Sequence, residues 1–210
     1  MRITPIERPR NPLVRLLYAA TQRQFGRAIT PFKVIFARLP RTIGAQLGIY
    51  AGLAKGLGIE PELQLLLQHH VAQLNGCGFC DDIGRATAVY WRVPLDKLDA
   101  APGWRTSPLF TDRERAALQY VEEATQTKRA SDDTFAALRA HFDDRQIVAI
   151  TWLNAVENYF NLLNGPLGIE SDGLCAIAQG RRAPAAAPPR DATNVPLGDP
   201  TLRENGASSG

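Results

Sequence analysis

Two of the three cysteines and two of the three histidines of this chain fall in one stretch, Leu63 to Tyr90. Cys77 and Cys80 form a C-x-x-C pair, preceded on the amino-terminal side by His69 and His70. Two thiols at this spacing can cycle between dithiol and disulfide, help to hold a metal, or pack as small apolar groups, and the backbone around them bears on the choice. Pro61 suits the first position of a helix and Gly76 its stop. Leu63, Leu66, Leu67, His70, Val71 and Leu74 repeat at the spacing of an apolar helical stripe, so a helix is predicted over 61–75. The chain restarts at Cys77-Gly78-Phe79-Cys80 and a second helix runs to about Arg92, before Pro94 ends it. Both thiols therefore fall at a helix N-terminus, where unpaired amides and the helix dipole favour thiolate over thiol.

Elements able to position this stretch are helical throughout. Helices are predicted near 12–25, 31–38, 42–56, 61–75, 78–92, 94–100, 111–127, 131–142 and 143–164, with Thr111/Glu114, Asp143/Gln146 and Ser131 as capping signals. No run alternates β-branched and polar residues with a period of two, so the fold class is all-α. The 210 residues, 45% of them hydrophobic, suit one core domain with appendages. Three units are expected: a basic arm with docking helices over 1–41, a helical domain over 42–179, and a disordered Pro/Ala-rich tail over 180–210.

Charge is unevenly spread. The net charge is +3, yet residues 1–41 carry nine Lys/Arg against Glu7 alone, so an arm of +8 faces a remainder of −5. Contact between the two, within a subunit or with a neighbour, is the favoured reading over nucleic-acid binding, since the arm has few aromatics and no recognisable binding motif. Its Arg-rich, acid-poor composition also fits a transit peptide, against which stand Pro5, Pro9, Pro12 and the docking pattern of Leu13, Leu16, Leu17 and Ala20. No apolar run approaches the roughly 20 residues of a membrane helix, which predicts a soluble, cytoplasmic protein with no membrane partner.

A thioredoxin-type motif follows a strand in an alternating β/α pattern, and here a helix precedes the cysteines. A closed zinc site wants four ligands, and beyond Cys77, Cys80 and one of the two histidines only Cys175 offers another thiol. The run His70-Val71-Ala72-Gln73-Leu74-Asn75-Gly76-Cys77-Gly78-Phe79-Cys80 resembles the core of the carboxymuconolactone decarboxylase and alkylhydroperoxidase D-like family. The likeness is specific over about thirty residues and extends more weakly to about residue 170, leaving the arm and the tail uncovered. It implies an all-helical alkylhydroperoxidase D-like domain in which Cys80 attacks a peroxide, becomes a sulfenic acid and is captured by Cys77, and a separate donor then reduces the disulfide. It also implies a homo-oligomer, a trimer or a multiple of one.

The chain departs from the peroxidase branch at two positions. That branch keeps a glutamate twelve residues before the first cysteine and a histidine four after the second, and here those places hold Leu65 and Gly84. Asp81 and Asp82 beside the second cysteine would oppose thiolate formation. Cys77, Cys80, Gly84, Thr87 and Ala88 form a small-residue helix face, open to a neighbouring helix or to a substrate. His70 could enter that space as a proton acceptor or serve as a hydrogen-bonded core residue. On the helix over 143–164, Asn154, Glu157, Asn158 and Asn161 form a polar stripe with no Lys or Arg between Arg145 and Arg181, the pattern of a lined cavity or a subunit contact. Glu157, the acid on that stripe, is the predicted replacement base.

The resulting expectation is a thiol–disulfide redox protein of peroxiredoxin type, with Cys80, Cys77, Glu157 and His70 as site residues. It takes a small peroxide or organic substrate and needs no cofactor and no metal. The alternatives are a non-enzymatic binding or assembly scaffold of the same fold, and a family member using the pocket without thiol cycling.

Overall fold

The computed structural model describes residues 1–181 apart from Lys55, and every regular element among them is helical. The long helices are α1 (Pro12–Phe25), α2 (Ile43–Ala54), α3 (Pro61–Leu74), α4 (Gly78–Trp91), α6 (Asp112–Thr127) and α8 (Asp144–Asn164), with shorter α5 (Leu95–Asp99), α7 (Asp132–Arg139) and α9 (Leu174–Arg181) between and after them. None is long and apolar enough to cross a membrane.

Helix α3 is the axis of the fold. Leu63, Leu65, Leu66, Leu67, His69, His70, Val71 and Ala72 are all buried, so the helix is enclosed on every side. One core cluster joins it to α5, α6, α7 and α8 through residues such as Leu98, Leu118, Leu138 and Ile150. A second cluster, on the α4 side, gathers Val14, Phe32, Val34, Phe36, Cys77, Phe79, Cys80 and Leu174. Residues 1–41 thus meet the body chiefly by apolar burial, and the ion pair that joins them to it among the described residues is Arg27–Asp172 at 3.5 Å.

Local signals set most boundaries. Thr111/Glu114 and Asp143/Gln146 both close as reciprocal capping boxes, and Ser131 caps α7. Two departures from the sequence reading have local and long-range causes respectively. Phe32–Phe36 is a π-helical turn, closed by the Ala37 amide on the Phe32 carbonyl at 2.9 Å, with four of its five side chains buried. Helix α9 carries no signal of its own: its first turn is organised by Asp82 on α4, whose carboxylate accepts the amides of Asp172, Leu174 and Cys175 at 2.8–3.0 Å. Gly180 and Arg181, expected to begin the tail, end this helix, and the rest of that tail lies outside the described residues.

Candidate redox site

The sulfurs are placed by the way α3 ends. Gly76 adopts φ +63°, a left-handed conformation that suits glycine, while its amide bonds the Gln73 carbonyl and that of Cys77 bonds the Ala72 carbonyl. This motif turns the chain so that Cys77 becomes the N-cap of α4, its sulfur accepting the Cys80 amide at 3.3 Å. Cys77 and Cys80 are joined by a disulfide across a Cα–Cα distance of 5.3 Å, and both are buried. Cys175 is a free, half-buried thiol.

The third side chain at the sulfurs is Asn164, at the end of α8. Its Nδ2 lies 3.4 Å from Cys80 Sγ and 4.0 Å from Cys77 Sγ, and its Oδ1 is buried without a partner among the described residues. Sequence reading ended the polar stripe of α8 at Asn161 and missed this residue, although Asn164 continues the same i+3 spacing.

The stripe itself faces inward. Glu157 accepts from Asn161 at 2.7 Å and from Gln68 of α3 at 3.3 Å; Asn75 donates to both Asn161 and Asn158, and Asn158 and Asn154 share the hydroxyl of Thr125 on α6. Each of these amides finds its partner inside the chain, while Trp152, Phe160 and Leu163 of the same helix are only half-buried. Burial pushes the Glu157 carboxyl up to about 7, against the opposing hydrogen bonds from Asn161 and Gln68. It hydrogen-bonds neither sulfur; Asn164, which does, is seven residues on, roughly 10 Å along the helix axis.

No family model matches the chain. The Escherichia coli K12 protein YnjA, itself uncharacterised, is 32% identical over 163 residues, covering 76% of this chain and 88% of its own. ATU0492 of Agrobacterium tumefaciens, a protein of unknown function described as a candidate antioxidant defence protein AhpD, shares the fold at a TM-score of 0.61 and 28% identity, over 66% of this chain and 96% of that one. Other solved AhpD-like, peroxidase-related proteins share it too. The chain belongs to the carboxymuconolactone decarboxylase and alkylhydroperoxidase D-like family. The fold also recurs in the debrominase Bmp8, at a TM-score of 0.71 and 18% identity over 84% of this chain and 96% of Bmp8, a distance at which the fold alone carries over. The AhpD-like relatives and the linked cysteine pair are compatible with a redox function.

Against the family's peroxidase branch, Leu65 is packed in the core, and the space beside Gly84 is taken from another helix. A Cβ at Gly84 would stand 3.7 Å from Nδ1 of His69, so an imidazole borders the place where the family histidine would begin. His69 is fully enclosed, its Nδ1 is 3.4 Å from Asp81 Oδ1, and neither ring nitrogen makes a hydrogen bond among the described residues. Burial holds it below the usual histidine range, with Asp81 pulling the other way. The small-residue face of α4 is thus bordered by α3 at Gly84 and by Asn164 of α8 at the sulfurs. Asp81 has His69 as its neighbour and Asp82 is satisfied by the α9 amides.

His70 faces a different element. Its Nε2 lies 3.1 Å from Glu122 on α6, which also accepts from Trp104 Nε1 at 3.0 Å and from Arg105 at 2.9 Å. Glu62 is exposed beside Pro61, and His141 is exposed ahead of α8.

Proposed function

We propose that the protein is a thiol-dependent hydroperoxide reductase running on the Cys77–Cys80 couple, and the observation that carries this reading is the linked pair buried at the start of α4. A reduced Cys80 thiol ionises and its sulfur attacks the terminal oxygen of a hydroperoxide. The O–O bond breaks, Cys80 becomes a sulfenic acid, and the departing alkoxide takes up the proton that the thiol released. Cys77 then attacks the Cys80 sulfur, forming the disulfide and expelling water, and an external dithiol returns two electrons and two protons. Glu157, whose carboxyl is raised to about 7 by burial, is the group assigned to store that proton. His70 is assigned to packing, since its one bonded nitrogen is spent on Glu122.

Thiol titration tests this directly. After reduction, one equivalent of hydrogen peroxide should remove two titratable thiols, with Cys77 and Cys80 linked and Cys175 untouched. Dithiothreitol should restore both and support turnover, and Cys80→Ser should abolish it. Unchanged Cys77 and Cys80 peptides after the pulse would exclude the peroxide reading.

Assembly with further copies is supported by α2. No charged residue occurs between Arg41 and Lys55, yet Gly44, Ala45, Leu47, Gly48 and Ala51 are exposed, and so are Val148 and Leu162 on α8. A chargeless helix facing water is best covered by another copy of itself. Leu47→Arg should lower the mass measured by light scattering; an unchanged mass would place any interface elsewhere.

A further inference from the structure

An opened Cys77–Cys80 pair has to divide one negative charge between two sulfurs, and their surroundings pull in opposite directions. Cys77 is the N-cap of α4 and already receives the Cys80 amide, so the helix terminus by itself makes Cys77 the more acidic thiol. Asn164 pulls the other way. The shorter contact of its Nδ2, 3.4 Å against 4.0 Å, is to Cys80, and a donor gains far more from a thiolate than from a neutral disulfide sulfur. Its Oδ1, buried and without a partner, is an acceptor that the oxidised pair has no hydrogen to satisfy. Opening the pair creates an S–H for it to accept.

The charged groups nearby do not compete for the sulfurs. On α4, Asp82 is bound by three amides and Asp81 stands against His69 of α3. Asp172, before α9, is paired with Arg27 and accepts from Thr30, and Glu157 on α8 bonds Gln68 and Asn161. Among the described residues, Asn164 is the side chain outside the pair that hydrogen-bonds both sulfurs.

We propose that Asn164 selects the nucleophile: in the reduced protein its Nδ2 donates to the Cys80 thiolate while its Oδ1 accepts the S–H of Cys77, leaving Cys80 charged and Cys77 protonated. The assignment rests on the reading that the pair opens and closes, and it needs no particular oxidant. Selection is an acid–base effect, so it can be measured without turnover.

The test is regiochemical. Fully reduced protein is treated at pH 7 with a substoichiometric amount of iodoacetamide and the labelled peptides are read by mass spectrometry, while absorbance at 240 nm follows thiolate formation against pH. Wild type should carry its first label on Cys80. In Asn164→Ala the label should move toward Cys77 and the Cys80 midpoint should rise by about one to two pH units, the size of one hydrogen bond to a charged group. Asn164→Asp, similar in shape and without a donor, should move both readings the same way. First labelling on Cys77 in wild type overturns the proposal even if both variants unfold. So does an unchanged Cys80 preference and midpoint in a folded variant. Failure of the peroxide reading would look different: Cys80 would still be alkylated first, and a peroxide pulse would consume no thiols.

Discussion

Gln68, His69 and His70 are consecutive on α3 and face three different neighbours: Glu157 of α8, Asp81 and Gly84 of α4, and Glu122 of α6. The two glutamates in this set have opposite fates. Burial alone would raise Glu122, but hydrogen bonds from Arg105, Trp104 and His70 hold it below the usual glutamate range. Glu157 receives only neutral amides and is pushed up to about 7. The α6 side is charge-balanced and its protons have no reason to move, as in a structural tie. On the α8 and α4 side lie a carboxyl raised by burial, a fully enclosed imidazole and the Cys77–Cys80 disulfide, a grouping of perturbed groups compatible with a redox site.

Breaking the α6 side should have the largest effect on stability. Glu122→Leu leaves Trp104 Nε1 and His70, both buried, without their acceptor and should cost about 4 kcal/mol in a denaturant melt, about 2 for each group left unpaired. Thiol reactivity of the folded fraction should not change. A large loss of reactivity at intact fold would place His70 in the chemistry after all.

Glu157→Gln should act in the opposite direction and only at higher pH. Because the folded protein holds the Glu157 proton up to about 7, the stability this group contributes is full below about pH 4.5 and is lost as pH rises through 7. Glutamine mimics the protonated form, so the variant should be more stable than wild type by about 3 kcal/mol at pH 8 and nearly equal to it at pH 4. Parallel stability–pH curves would mean that Glu157 titrates normally. If it also stores the thiol's proton, peroxide reactivity should fall by about a hundredfold.

The space beside Gly84 gives a smaller, reciprocal test. Gly84→His forces a second imidazole against His69 and should destabilise by about 2 kcal/mol through overpacking. Combining it with His69→Ala should relieve the clash, and a double-mutant cycle with no coupling would show that the two positions do not share that volume. Gly84→Ala, whose Cβ meets only ordinary contact at 3.7 Å in a helix interior, should stabilise by about 0.5–1 kcal/mol.

Much of this was legible in the chain itself, for a physical reason. Helix stops, caps and the C-x-x-C turn are closed by partners three to five residues apart, as at Thr111/Glu114, Asp143/Gln146 and the Ala72–Cys77 turn, so neighbouring residue types suffice to read them. Spacing also marked the α8 stripe as polar and cation-free. Which way that stripe faced, and what it touched, was settled by partners far away in sequence. Asn164 meets Cys80 across 84 positions, Glu157 meets Gln68 across 89, and Asp82 organises α9 across 90 to 93. The periodicity of a helix tells which residues share a face, while the choice of neighbour for each face depends on how all the helices fill one core. For that reason the cysteine pair could be read from sequence, whereas Asn164 at the sulfurs, His69 beside Gly84 and Glu122 on His70 emerged only from the packed structure.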